Sequence, residues 1–519
     1  MRDRETGTRE GVGSRMNRGR RSGVCVRAWL LLIVSGLIVA AGAQKEPEKP
    51  TDMQIENAVE SALLLDDAVQ AHLIDITSNE GIVTLTGPVG DLLQKRRAVK
   101  LARTVRGVRS VVNRIDVRPV IRSEKDIRTD VLAALAADPA TESYEIDVAV
   151  QKATVTLSGT VNSYAERQLA EKVVRGVKGV KEIANTIAVE YDTDRSDNQI
   201  KADIERRLAI DPYVPDKLVD VAVGDGKVTV TGTVGSAAEK NAVREAAWVT
   251  GVQDVDVSAL QVQWWALRPQ ERESKTVIKT DDAIEKAVTD ALAFDPRAIS
   301  FNFDVSSEDG VVTIEGTVDN LKAKRAALSD ARNTTGVVGV NDRIRVRFTE
   351  EQPPPDDAEL TDNVSAAMLR DPVLERHEIR PVVRNARVSL YGDVDSYFEK
   401  WHAEEVVSRV RGVADVHNVL TVSRSWRWKS DEAIAQDIRR ELYWSLEVDQ
   451  EDIEVEVRNG TASMSGSVND LSELDVAVDK AFDGGARVVR STLDVGGYTE
   501  YEEPVYYYHK FYRGHSDAL

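Results

Sequence analysis

Apolar and polar residues alternate along Val155–Val161, V-T-L-S-G-T-V, and the alternation returns as V-T-V-T-G-T-V at Val228–Val234 and V-T-I-E-G-T-V at Val312–Val318. Period two marks a half-buried β-strand, so Val155 and Leu157 are expected to face a core while Thr154, Thr156 and Ser158 face away. Aligned on the glycine that ends the strand, the motif occurs six times, at Gly87, Gly159, Gly232, Gly316, Gly392 and Gly466. Such a glycine is expected where the backbone passes close under the following helix. A second glycine follows 19 or 20 residues later, at Gly107, Gly179, Gly251, Gly336, Gly412 and Gly485. The span between the two carries a helical pattern, and a glycine in the left-handed conformation is the usual helix stop. A short β run, G-V-x-x-V/I, comes after it.

Upstream of each strand motif, apolar residues recur every four positions: Ile55/Val59/Leu63, Ile127/Val131/Leu135, Ile200/Ile204/Leu208, Ile284/Val288/Leu292, Leu360/Val364/Met368 and Ile434/Ile438/Leu442. This spacing predicts an amphipathic helix with one buried stripe. Asp-Pro closes it in four copies (Asp138-Pro139, Asp211-Pro212, Asp295-Pro296, Asp371-Pro372), because proline disfavours α geometry in the residue before it. Turns such as N-E-G, E-D-G and R-N-G then join two strands.

The repeated object is therefore helix, strand, strand, helix, strand. The fold class is α+β, a tandem array of six small αββαβ domains, each with two helices on a three-stranded mixed sheet. They span 52–118, 124–190, 197–263, 281–348, 360–424 and 431–495, the last the most divergent. Linkers are expected at 264–280 and at 349–359, the latter with P-P-P-D-D, and both are places where the chain can bend or extend. A tyrosine-rich tail covers 496–519 and is either a loose end or a segment docked on the sixth repeat. Domains of this size have small cores, so contacts between neighbours are expected to help stabilise them.

The helix-one stripe, the V-T-L-x-G-x-V strand and the G-V-x-x-V-x-N motif (Asn113, Asn185, Asn418) together resemble the BON domain, the module of OsmY-like bacterial periplasmic proteins. The resemblance covers about four fifths of the chain. Repeats three, four and six depart from it at the Asn position, with Val257, Asp342 and Ser491, and repeat six has Ala462 and Met464 in its strand. The resemblance implies a non-catalytic envelope protein, associated with stress response, whose repeats bind phospholipid or partner proteins.

Composition adds the compartment. The chain of 519 residues has a net charge of −19, yet the first 43 residues hold eight Arg against three acids. A broadly acidic surface argues against nucleic acid as a partner, which needs Lys and Arg along the phosphates. Arg18, Arg20, Arg21 and Arg27 precede the apolar run 28–41, and Ala41-Gly42-Ala43 follows it. Residues 1–43 thus read as a signal peptide cleaved after Ala43, which implies export of the rest. Together with the BON resemblance this implies the periplasm of a diderm bacterium, and the alternative is an uncleaved inner-membrane anchor with periplasmic repeats. Cys25, the single cysteine, lies in this leader, so the repeats hold no disulfide and no thiolate metal site.

Chemistry is sparse. The six histidines show no metal-ligand spacing, there is no phosphate loop after a strand, and no G-x-S-x-G elbow. No catalytic residue, metal or cofactor is expected. The Asp before Pro and the Asn after the second glycine suit turns and caps. One local feature stands out in the second helix of repeat one. Arg96, Lys100 and Arg103 form a basic stripe flanked by Arg97 and Arg106, opposite Ala98, Leu101, Ala102 and Val105, and Asp91 is its one acid. Such a face suits anionic phospholipid or an acidic envelope partner, or else contacts an acidic neighbouring repeat. Trp264, Trp265, Trp426 and Trp428 follow the last strands of repeats three and five, and are candidates for stacking on sugars, sitting at a bilayer interface or joining adjacent repeats. The readings left open are lipid binding, a protein scaffold or spacer without lipid contact, and cell-wall binding through the Trp clusters. Oligomeric state is not legible.

Overall fold

The computed structural model describes residues 49–66, 68–141, 144–191, 194–267, 279–349, 353–422, 429–496 and 505–507. The leader, Trp426 and Trp428 lie outside them.

Twelve α-helices of the repeats appear among the described residues, two per copy. The first helices are α1 (Asp52–Leu65), α3 (Glu124–Ala137), α5 (Asp197–Ile210), α7 (Asp281–Phe294), α9 (Asp357–Arg370) and α11 (Asp431–Trp444). The second helices are α2 (Leu92–Arg103), α4 (Tyr164–Arg175), α6 (Ala237–Ala246), α8 (Leu321–Arg332), α10 (Tyr397–Ser408) and α12 (Leu471–Asp483). In each copy the middle strand pairs antiparallel with the first and parallel with the third, as in Asp75–Asn79, Ile82–Val89 and Ser110–Val117 of repeat one. Every residue of the predicted helix-one stripes is buried, and each repeat has its own apolar core. Asp357 and Glu359 belong to the first turn of α9 rather than to a linker, and Asp356 caps the helix by accepting from Ala358 N and Glu359 N at 3.0 and 2.8 Å. Likewise Trp264–Leu267 forms a 3₁₀ turn whose Leu267 packs against Gly235 of repeat three.

The strand-ending glycine has a different cause from the expected helix contact. Gly159 has φ +134°, and a Cβ there would overlap the carbonyl oxygen of Glu145, just before the first strand. The close neighbour is therefore the first strand's entry, not the second helix, and Gly87 and Gly466 meet Leu73 O and Asp452 O in the same way. The hairpin turn is held from a distance. Asp52, the first residue of α1, accepts from Glu80 N and Gly81 N at 2.8 Å each, and Asp431 does the same for Asn459 and Gly460. Asn113 Oδ1 accepts from Ile115 N at 3.1 Å; Asp342 and Ser491 repeat that bond to Ile344 and Leu493, so two of the departures keep the local turn.

Two rules describe how the repeats meet. First, the residue before the second glycine donates its N–H to the last carbonyl of another repeat's first helix. Arg106 N reaches Trp444 O (3.0 Å), Lys178 N reaches Arg370 O (2.8 Å), Arg411 N reaches Ala137 O (3.0 Å) and Thr335 N reaches Ile210 O (3.0 Å). These bonds pair repeat one with six, two with five (in both directions) and three with four. They satisfy helix-end carbonyls that would otherwise lack partners. Second, the first residue of a second helix docks on another repeat. Leu92 packs on the core of repeat two, Tyr164 stacks on Trp248 of repeat three (centroids 4.1 Å, interplanar 6°), and Ala237 enters the core of repeat one while its N–H reaches Val108 O at 3.1 Å. Repeats one, two and three thus close a ring. Leu321 on the core of repeat five and Leu471 N on Val337 O (3.0 Å) take the same steps from four to five and from six to four. The outcome is a packed body of paired repeats rather than a string of beads.

Candidate binding site between the repeats

Helix α2 begins where Asp91 accepts from Gln94 N at 2.9 Å. Its apolar side, Ala98, Leu101 and Ala102, with Val105 just beyond, is buried in the first core. The opposite, basic side is not open either: Arg96, Arg97, Lys100, Arg103 and Arg106 are all half-buried. Arg97 Nε donates to Asp66 Oδ2 at 2.7 Å. Arg103 donates to Asn241 Oδ1 of repeat three at 3.1 Å, and Arg106 lies over the Tyr443 ring of repeat six, 5.1 Å from its centroid. A stripe turned toward an external bilayer is therefore not the arrangement seen. The helix lies against two other repeats, and Arg96, Lys100 and Arg103 line a cavity of about 940 Å³ bounded by repeats one, two, three, four and six.

The cavity wall holds nine Lys and Arg against seven Asp and Glu, in a chain that is acidic overall. Part of this charge is matched at short range. Arg175 pairs with Glu171 at 2.7 Å and Arg297 with Asp295 at 2.5 Å. Burial and the Asp295 carboxylate push the Asp330 pKa well above the usual carboxylate range, against the pull of Arg297. Beyond the cavity, burial works against ionisation of Glu405, but Arg409, Lys172 of repeat two and Arg325 of repeat four hold its pKa at about 2. Lys322 reaches across from repeat four to Asp138 of repeat two at 2.6 Å, with both side chains buried. That Asp138 also accepts from Ala140 N at 3.0 Å, the turn expected for Asp before Pro.

The other candidates are dispersed. Trp264 and Trp265 are half-buried in the turn that closes repeat three. The indole that joins two repeats is Trp248, which sequence reasoning passed over; it lies three residues before the second glycine of its repeat, and its partner Tyr164 is the first residue of a second helix. Of the tail, Val505–Tyr507 adds an antiparallel strand to Val488–Arg490, so this part docks on repeat six. His377, Asp395 and Glu399 of repeat five lie close enough to hold a metal ion. The Arg376 guanidinium already bonds Glu399 and donates to His377 Nε2 at 3.1 Å, so a cation occupies that position from within the chain.

Comparison with known proteins decides the family. The model of the BON domain matches six times, at residues 51–119, 123–191, 196–263, 280–347, 356–424 and 430–497. The chain belongs to the BON family. The osmotically-inducible protein Y of Escherichia coli (strain K12) is 32% identical over 143 residues, covering 26% of this chain and 71% of that protein. Among solved structures, CdsD, a structural protein of the type III secretion system of Chlamydia trachomatis, aligns with 40% of this BON chain and 91% of its own, at 14% identity and a TM-score of 0.12; at that score the likeness carries no weight. No helix of this BON protein is long and apolar enough, among the described residues, to cross a membrane.

Proposed function

We propose that this chain is a non-catalytic protein of the bacterial envelope that acts as a pre-assembled scaffold, offering the outer surfaces of its BON repeats to envelope partners. The single observation that carries this reading is the fate of the basic helix. Two of its cations serve contacts inside the molecule, Arg103 to Asn241 and Arg106 on Tyr443, which favours a role within the chain over one at a bilayer. Family membership and the likeness to an osmotically inducible protein support the envelope setting and a part in the response to osmotic stress. The decisive experiment is sedimentation with anionic and neutral vesicles at two salt concentrations, using the chain and a variant with Arg96, Arg97, Lys100 and Arg103 all changed to Gln. No binding by either protein is the expected result. Binding by the parent chain that is lost in the variant and weakens with salt restores lipid as the ligand of this helix.

A second reading has its own observation. Val120 and Ile121 between repeats one and two are 56% and 102% exposed, and Arg118 and Arg122 flank them. An apolar pair between cations suits a lipid interface. Under that reading vesicle binding survives the four Gln substitutions and is lost on Ile121→Ser.

A further inference from the structure

Two guanidinium groups from different repeats converge on one neutral atom. Arg103 of repeat one and Arg244 of repeat three both donate to Asn241 Oδ1, at 3.1 and 2.6 Å. An amide oxygen has two lone pairs and no charge to offer, so it holds the two cations together without neutralising either. Arg96, two turns before Arg103 on α2, lines the same cavity. A nearby carboxylate is Glu245, which accepts from Arg244 at 3.2 Å. Arg103 and Arg244 thus meet beside Glu245 in a partly desolvated cleft. Burial lowers the Arg103 pKa, and the repulsion of Arg244 and Arg96 lowers it further, with Glu245 opposing them. Arg244 is exposed, so the cluster is open to solutes.

We infer that this cleft between repeats one and three binds a small, soluble, multivalent oxyanion, with Arg103 and Arg244 clamping it and Arg96 flanking. Planar guanidiniums bond phosphate-like oxygens in pairs, and each such charge-assisted bond is strong where water is scarce. The cavity of about 940 Å³ has room for more than a single phosphate group. A bound anion would also pin the contact that closes the ring from repeat three to repeat one, so occupancy and stability should rise together. The inference stands on this cluster alone and does not depend on the scaffold reading.

Calorimetric titration of the full chain with inorganic pyrophosphate, at ionic strength held constant with chloride, tests it. Saturable binding and a raised unfolding midpoint are expected, weakened roughly tenfold or more by Arg103→Gln and strengthened by Glu245→Gln. Should Arg103→Gln not fold, Asn241→Asp serves instead. Its carboxylate takes the anion's place, so the unfolding midpoint should rise and pyrophosphate binding disappear. Absence of saturable binding by the parent chain overturns the inference, as does undiminished binding by Asn241→Asp. Vesicles of phosphatidylglycerol that bind through these arginines while pyrophosphate does not would overturn it too, in favour of a lipid headgroup.

Discussion

At Gly159 the backbone lies at φ +134°, a region that side chains rarely adopt, and the space where a Cβ would stand belongs to the Glu145 carbonyl. Gly159→Ala therefore forces strand and carbonyl apart and should destabilise the chain by roughly 1–3 kcal/mol, read as a lowered denaturant midpoint. Ala386 poses the reverse problem. It holds φ +61° in a hairpin turn where other repeats place glycine, such as Gly81 and Gly460. Ala386→Gly should relieve that conformation and stabilise by about 0.5–1 kcal/mol in the same assay, since an L-residue in the left-handed region costs about 1–2 kcal/mol and glycine returns part of that as entropy. An unchanged midpoint in either variant would show that the backbone angle is not what selects the residue. The sequence marked Gly159 as special through repetition alone. It could not say what approached Gly159, because the carbonyl that does so lies 14 residues upstream and carries no side-chain signature.

Element by element, the helices and strands were legible because their burial is periodic, and the core each repeat keeps to itself is what a period of 3.6 or 2 encodes. Contact with a neighbouring repeat was one of the readings open for the basic face of α2; what escaped was which residues of which repeat it would meet. The stripe on α2 showed its charge plainly, but Asn241 and Tyr443 stand more than a hundred residues away, where no local pattern points to them. The start of α12 shows another hidden property. Asp470 caps it by accepting from Glu473 N at 3.0 Å, and Glu473 accepts from Asn469 N and Asp449 N at 2.7 Å each. Burial raises the pKa of Glu473 to about 7 and that of Asp470 to about 6. Both groups bind protons more tightly folded than unfolded, so their contribution is complete below about pH 4 and is lost as pH rises through 6 and 7. For Glu473 the loss is on the order of 3 kcal/mol, since each tenfold gain in proton affinity on folding is worth about 1.4 kcal/mol. Urea titrations between pH 5 and 8 should show stability falling with rising pH, and Glu473→Gln should flatten that slope. A slope that persists in the variant would assign the effect to other groups.

Across the whole molecule, pairing of one with six, two with five and three with four sets this chain apart from a solenoid, in which each unit touches only its sequence neighbours. Removing the chain beyond residue 429 would take away the partner that receives Arg106 N and the Tyr443 ring under its side chain. Damage should appear in repeat one and at Val337 of repeat four, not only at repeat five, the new end. Hydrogen exchange with residue-level readout is the measurement. Protection lost at 105–108 and 337, with the core of repeat two retained, is the expected pattern, whereas loss confined to repeat five would mean the repeats stand independently.

The pairing of repeat one with repeat six also has a temporal side. Ser61 and Glu441, which share a hydrogen bond, are separated by 380 residues. A ribosome adding about 5–20 residues per second needs tens of seconds to supply the second after the first. Throughout that interval repeat one has an unclaimed glycine loop, ready to take the helix end of any sister chain emerging beside it. Crowded synthesis on one messenger should therefore yield exchanged dimers built from the same bonds as the monomer.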